Sequence, residues 1–491
     1  MAIYYPKKNI LFLVFFVQID DNVSFTWGFV SKKISVFILT MINIATILSI
    51  RNWAISAQYG LSSIIFLTLA LLFFFVPAAL VSAELATAWP QKGGIFIWVK
   101  EALGHRLGFL SVWLLWLENV VWYPTILSFV AATFAYMINP ALNGNKWFTY
   151  GVIVTIFWLI TYINLKGIQV FGWISSISAW LGTLIPGALI IGLGVAWLVL
   201  GYPTNMEFSF EALKPNLSSF SDLAFLAGIL MSFCGIEMSA VHAKDVENPQ
   251  KNYSRAILFS ASTIIVFAIL GTLAISIIIP KQEINLISGS IEAIYSFFAQ
   301  YGLEKFIPLI ALFIVLGPLG GVSSWAAGPC RGLLAAAEKG DFPPFMCKTN
   351  KHDMPVNVML IQATIVTLLS FAFIFMPNVS SSFWMLTILA AQLYIVMYIL
   401  MFISGIVLKY KRKDVQRHYK VPFGNLGMWV VSCMGILGCL FTFFIGFFPP
   451  SPVDTGRLIF FELFLALGLI IFCSTPLVIF QIRHLWAKTE S

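Results

Sequence analysis

The 491-residue sequence predicts an all-α, polytopic membrane protein of twelve transmembrane helices, built as a five-plus-five inverted repeat whose first and sixth helices are broken. Three observations carry that prediction. The composition is 59% hydrophobic and only 10% charged, with a mean hydropathy of +0.91, whereas soluble domains carry about 25% charged residues. Apolar runs long enough to cross a hydrocarbon core of about 30 Å recur along nearly the whole chain. One of them, Phe225 to Val241, contains Glu237 together with Gly228 and Gly235.

Residues 1–33 read as an N-terminal cytoplasmic tail with a short apolar segment. Ile10 to Ile19 is too short to span, and Asp20 and Asp21 follow it where a signal peptide would show a small-residue cleavage pattern. Spans are expected over residues 34–56, 62–88, 107–137, 147–165, 173–200, 222–242, 254–279, 305–335, 357–376, 382–408, 424–448 and 458–482. The third and eighth are longer than a perpendicular crossing needs, which tilt accommodates. The first repeat is expected over 34–200 and the second over 201–409. Residues 410–482 form the last two helices with the basic loop before them, and 483–491 the C-terminal cytoplasmic tail.

Lys and Arg set the orientation. Of 29, 23 fall in the termini and alternate loops on one side, whereas the opposite loops hold only Lys146, Lys214, Lys281, Lys305 and Arg457. The positive-inside rule makes the basic side, with both termini, cytoplasmic, in a cell inner (plasma) membrane. The net charge of +8 follows from this bias and implies no nucleic-acid partner. The run from Tyr410 to Lys420 reads either as a topology anchor or as a contact for anionic membrane lipid. The five histidines fall at cytoplasmic helix ends, loops or the tail, and none of the six cysteines is placed for an extracytoplasmic disulfide. No metal-ligand spacing occurs and no cofactor is expected. A homodimer is left open.

The repeat is visible in organisation rather than in residue identity. The second helix ends at Trp89-Pro90 and leads into a short amphipathic piece, Gly93 to Gly104. The seventh ends at Ile279-Pro280 and leads into Ile287 to Gly302, on the opposite side of the membrane. Inverted repeats with discontinuous helices are a transporter device.

A carboxylate at the bilayer centre costs about 2.5 to 3.5 kcal/mol on insertion scales, so Glu237 is expected to face a cavity, an ion or a substrate. Gly228 and Gly235 let the helix open around a ligand. The first helix is correspondingly polar, with Thr40, Asn43, Thr46, Ser49, Arg51 and Asn52. Asn43, Ala45 and Thr46 are the residues expected to line or gate the site from that side, and Phe233 and Gly235 from the sixth helix. Arg51 has three readings: pairing with a protein carboxylate, pairing with a substrate carboxylate, or snorkelling to the outer surface. Glu118 in the third helix either receives a substrate cation or pairs with Arg51. Phe233 and Trp325 are aromatics that can close over a ligand, Trp325 standing out for its small neighbours in Gly321-Val-Ser-Ser-Trp325-Ala-Ala-Gly328.

The run Ala83-Glu84-Leu-Ala-Thr-Ala-Trp-Pro90-Gln-Lys-Gly93-Gly94-Ile-Phe-Ile-Trp98 resembles the second-helix signature of the amino acid-polyamine-organocation superfamily. Gly235-Ile-Glu237 with Glu247-Asn248-Pro249, Asn164-Leu-Lys-Gly167 and Pro329-Cys-Arg331 fit the same pattern. Ser232 to His242 and Ser324 to Gly332 look most like the glutamate/GABA antiporters of bacterial acid resistance. The resemblance covers residues 34–484. It implies a leucine-transporter-like fold with a central site between the broken helices, walled by helices 3, 8 and 10, with Glu237, Trp325 and Tyr394 lining or gating it. Glu118 departs from that pattern, which has an uncharged glutamine there, and a second carboxylate suits a neutral or cationic substrate. The first helix lacks the superfamily's glycine-serine-glycine break, and no long C-terminal plug is expected.

The expected function is secondary active amino acid transport: exchange of an amino acid for another or for its decarboxylation product by alternating access. The alternatives are a proton-coupled symporter, with Glu237 or Glu118 as the proton carrier, and an amino acid sensor on a transporter fold. An enzyme is not expected, because no nucleophile and base, metal cluster or phosphate loop has usable spacing.

Overall fold

The computed structural model describes residues 35–90, 93–167, 180–240, 246 and 248–486. The expectations for residues 1–33, the start of the fifth helix, His242, Glu247 and the last residues of the C-terminal tail lie outside them. The described residues form helices joined by loops, and an isolated bridge joins Thr349 and Pro355.

Among the described residues, eleven helices are long and apolar enough to cross a membrane. They are α2 (Gly60–Ala88), α3 (His105–Ile138), α4 (Lys146–Leu165), α5 (Trp180–Val199), α6 (Phe220–Met238), α7 (Lys251–Ile278), α8 (Glu304–Ala337), α9 (Val356–Phe375), α10 (Val379–Lys411), α11 (Gly424–Ile445) and α12 (Leu458–Leu485). The remaining span, α1, consists of Val36–Ile47 and Trp53–Ala57 on either side of a break, so neither piece is long enough alone. Twelve crossings therefore account for the expected count, with the shortfall at the helix expected to be interrupted.

The two halves repeat one order of elements. A broken helix (α1, α6) is followed by a long one (α2, α7), a short surface helix (Ile95–Leu103, Gly289–Tyr301), a long tilted helix (α3, α8) and two more spans. Five crossings separate each pair of counterparts, so the halves run in opposite directions. At about 1.5 Å per residue, the 34 residues of α3 reach roughly 51 Å, well beyond the hydrocarbon core. α3 packs on both α8 and α10, which makes it the central wall. α8 crosses α5 at Gly317 and Gly182, where a Cβ on Gly182 would stand 1.9 Å from the Gly317 nitrogen. No residue larger than glycine permits that approach.

On the basic-loop side, Glu84 near the end of α2 is buried and gathers a cluster. Its carboxylate pairs with Lys409 Nζ at 2.8 Å and Arg417 Nε at 3.0 Å and accepts the Val421 N–H at 2.7 Å. The Arg417 guanidinium also lies over the Trp89 ring at 5.6 Å. Two of the cations in and beside the run considered for lipid contact are thus turned inward, onto α2.

Candidate functional site

The breaks in α1 and α6 free backbone groups that an intact helix would pair, and each break has a specific replacement. In α1, Ser290 Oγ, from the surface helix Gly289–Tyr301, donates to the Ile50 carbonyl at 2.7 Å. In α6, Phe233 and Cys234 donate to Leu230 and Met231, tightening the turn at 3.0 and 3.2 Å. The next amide, Gly235, donates to the Tyr398 hydroxyl at 2.9 Å. Gly235 has φ +110°, in the region L side chains rarely adopt, and a Cβ there would come 2.8 Å from Trp325 Cζ2. Both the backbone angle and the ring require glycine at this position.

A cavity of about 90 Å³ opens where the two breaks meet, several times the roughly 10–15 Å³ one water needs. α1 contributes Thr46, Ser49, Arg51 and Asn52; α3 contributes Glu118, Asn119 and Trp122; α6 contributes Ser232 and Cys234; α8 contributes Gly321 and Trp325; α10 contributes Tyr394. Of the residues expected at the site, Thr46, Glu118, Trp325 and Tyr394 therefore share one cavity.

Glu237 lies behind this wall. Its carboxylate is 3% exposed and accepts from the hydroxyls of Tyr394 and Tyr398, one on each oxygen. Tyr394 is therefore the element between Glu237 and the cavity. Phe233 is buried against Phe75, with ring centroids 5.9 Å apart, and borders a smaller neighbouring hollow. Gly235 sits under Trp325. Asn43 is buried, is not among the residues lining the cavity, and donates to Ser260 Oγ of α7 at 3.1 Å. Ala45 falls on the α1 helical arm just before Thr46.

Arg51 does not snorkel. It is 2% exposed, held by Thr125 Oγ1 at 3.0 Å and Asn52 Oδ1 at 3.2 Å. Its guanidinium carbon lies 5.8 Å from the Trp122 ring centroid and 5.4 Å from that of Phe383. Glu118, 1% exposed, accepts from Asn119. Among the described residues, neither charge has an ion-pair partner, so the expected alternative of an Arg51–Glu118 pair is absent.

Tyr398 and Thr125 are the site residues that sequence reasoning missed. Tyr398 carried a usable signal, since it follows Tyr394 by four residues and so shares its helix face.

A family model described as amino acid permease matches residues 12–472. The chain is 42% identical to an uncharacterized transporter of Legionella pneumophila over 447 residues, covering 91% of this chain and 96% of that one. It is 31% identical to a glutamate/gamma-aminobutyrate antiporter of Lactococcus lactis over 458 residues, covering 92% and 91%. A polyamine transporter of rice, Oryza sativa, is 26% identical over 364 residues, covering 72% and 62%. These are membrane transporters rather than enzymes, and a cavity between two broken helices is the arrangement such proteins use. With its family model matched across nearly the whole length, this chain belongs to the amino acid permease family.

Proposed function

We propose that this permease is an antiporter that exchanges a glutamate/GABA-type amino acid for another amino acid or its decarboxylation product by alternating access. The observation that carries the reading is the polar cavity at the junction of the α1 and α6 breaks, with Trp325 and Tyr394 among its lining residues. Half-helix ends bring partial positive charge at N-termini and partial negative charge at C-termini, which suits a zwitterion. The exchange pair is drawn from the names of two Lactococcus lactis relatives, both glutamate/gamma-aminobutyrate antiporters at 31% identity. Trp325 and Tyr394 serve as the covers that move between states, with Glu237 holding Tyr394. The protein works in the inner (plasma) membrane with both termini cytoplasmic, as the Lys and Arg bias supports, and residues 34–200 and 201–409 act as the two inverted units.

The test is counterflow in proteoliposomes, with labelled glutamate, GABA, arginine or a neutral amino acid outside, between pH 5 and 7.5. Antiport requires uptake only into vesicles loaded with a counter-substrate. A second reading, proton symport, is favoured by one observation: Glu118 is a buried carboxylate on the cavity wall with no cation paired to it among the described residues. Uptake into empty vesicles under an imposed proton gradient would establish symport and overturn the antiport reading. Glu237→Gln then separates the two carboxylates, since a carrier at Glu237 loses proton coupling while exchange persists.

A further inference from the structure

Arg51 sits in the short turn Ile50–Asn52 that joins the two arms of α1, and from there it reaches two other helices. Its guanidinium donates to Thr125 Oγ1 of α3 at 3.0 Å. It also lies within cation–π range of Trp122 of α3, at 5.8 Å, and of Phe383 of α10, at 5.4 Å. Arg51 lines the cavity and yet is only 2% exposed.

These contacts fall on one side of the cavity. Counting crossings along the chain puts the Trp53–Ala57 arm of α1, the end of α3 and the start of α10 on the side away from the basic loops. Phe383, in the second turn of α10, stands between Tyr394 of the cavity wall and that end of the helix. The guanidinium therefore ties the break in α1 to α3 and α10 on this side. The preceding residue is pinned there as well, since the Ile50 carbonyl accepts from Ser290 of the surface helix that follows α7.

Every partner of the guanidinium is neutral, Asn52 Oδ1 included. Pulling apart a buried salt bridge would strand two charges. Pulling Arg51 from a hydroxyl and two ring faces strands no counter-charge, and water entering between the parted helices solvates the cation again. Such contacts can order three helices and still open in every cycle.

We propose that Arg51 is the clasp that shuts the cavity on the side away from the basic loops, letting go of Thr125, Trp122 and Phe383 when that side opens. This rests on the alternating-access reading above and assigns one of its two closures to named contacts. Thr125 and Phe383 do not line the cavity, so they govern access without touching a ligand inside it.

Cys234 lines the cavity and serves as a native reporter. Membrane vesicles of both orientations, carrying the full chain, are treated with a membrane-impermeant methanethiosulfonate, and modification of Cys234 is timed by mass spectrometry of its peptide. Thr125→Val removes the hydroxyl with little change in volume, and Phe383→Leu removes the ring. Each is expected to speed labelling at least threefold from the side away from the basic loops, and not from the other. Arg51→Leu should speed it at least tenfold on the same side. Arg51→Lys, which keeps the charge but lacks the planar fork, should resemble Arg51→Leu more than the original. Monodisperse Thr125→Val and Phe383→Leu proteins that label at the original rate overturn the proposal, whether or not the Arg51 variants fold. Equal acceleration from both sides overturns it as well, and so does a Cys234 that stays unmodified from that side in every variant. Side-specific acceleration in a protein without counterflow sinks the antiport reading and leaves the clasp standing. Counterflow with unchanged labelling does the reverse.

Discussion

Tyr398 closes the broken end of α6 through Gly235: its hydroxyl oxygen accepts the Gly235 N–H at 2.9 Å while its hydrogen goes to Glu237. One phenol thus satisfies an amide left over by the break and half of a buried carboxylate. Tyr394, one turn earlier, serves only the carboxylate. Tyr398→Phe is therefore expected to destabilise more than Tyr394→Phe, by about 1–3 kcal/mol for each buried group left unsatisfied. Thermal melts of the two purified variants decide this, and an equal or reversed ranking would remove the capping role from Tyr398.

Gly235 carries two separable constraints, a backbone angle and a neighbour. Gly235→Ala should lose about 1–3 kcal/mol from the φ of +110° alone, with a further loss from the Cβ placed 2.8 Å from Trp325. Trp325→Leu in the same chain relieves only the second. The double variant is then more stable than the sum of the single effects predicts, by about 0.5–3 kcal/mol. Strict additivity in melting temperature would mean that the ring and the glycine do not meet as described.

The class, the spans and the breaks were legible because each rests on local chemistry: runs of apolar residues, polar residues in α1, and glycine at the turn in α6. Glu237, Trp325 and Tyr394 stood out because a buried charge, a ring among small residues and a family motif are visible in a linear chain. What could not be read is which side of a wall a residue faces. Glu237 was expected at the ligand and stands behind Tyr394, because the two tyrosines of α10, far away in sequence, take its oxygens. Arg51 had three readings because its burial is decided by Trp122 and Phe383 from other helices. Phe233 was expected over the ligand but packs on Phe75, a pairing that periodicity within α6 does not reveal.

The Glu84 cluster joins the end of α2 to the end of α10 and the loop after it. Replacing Glu84 with Ala leaves Lys409 and Arg417, with side chains only 8% and 10% exposed, facing each other without a counter-charge. Breaking a buried pair from one side costs about 3–5 kcal/mol. The expected result is a large drop in melting temperature that Lys409→Met in the same chain partly restores. A variant that melts like the original would show that water already screens these cations.

Glu292 offers a pH-dependent test outside the spans. It sits on the surface helix Gly289–Tyr301 and accepts from Ser288 Oγ at 2.6 Å, Asn143 Nδ2 at 3.2 Å and Tyr136 Oη at 3.4 Å. Burial pushes its carboxyl up from the ordinary 4.5, and these hydrogen bonds offset part of the rise. A carboxyl raised in the folded state binds its proton more tightly there than in the unfolded chain. Its contribution is therefore fully present below the unfolded value and is lost as pH rises through the folded one. Melting temperature should accordingly fall more steeply for the original protein than for Glu292→Gln as pH rises from 4.5 to 7.5, at fixed ionic strength. If the two profiles run parallel, the hydrogen bonds from Asn143, Tyr136 and Ser288 cancel burial; if the variant is the steeper, they outweigh it and the loop between α3 and α4 is held by an ionised Glu292.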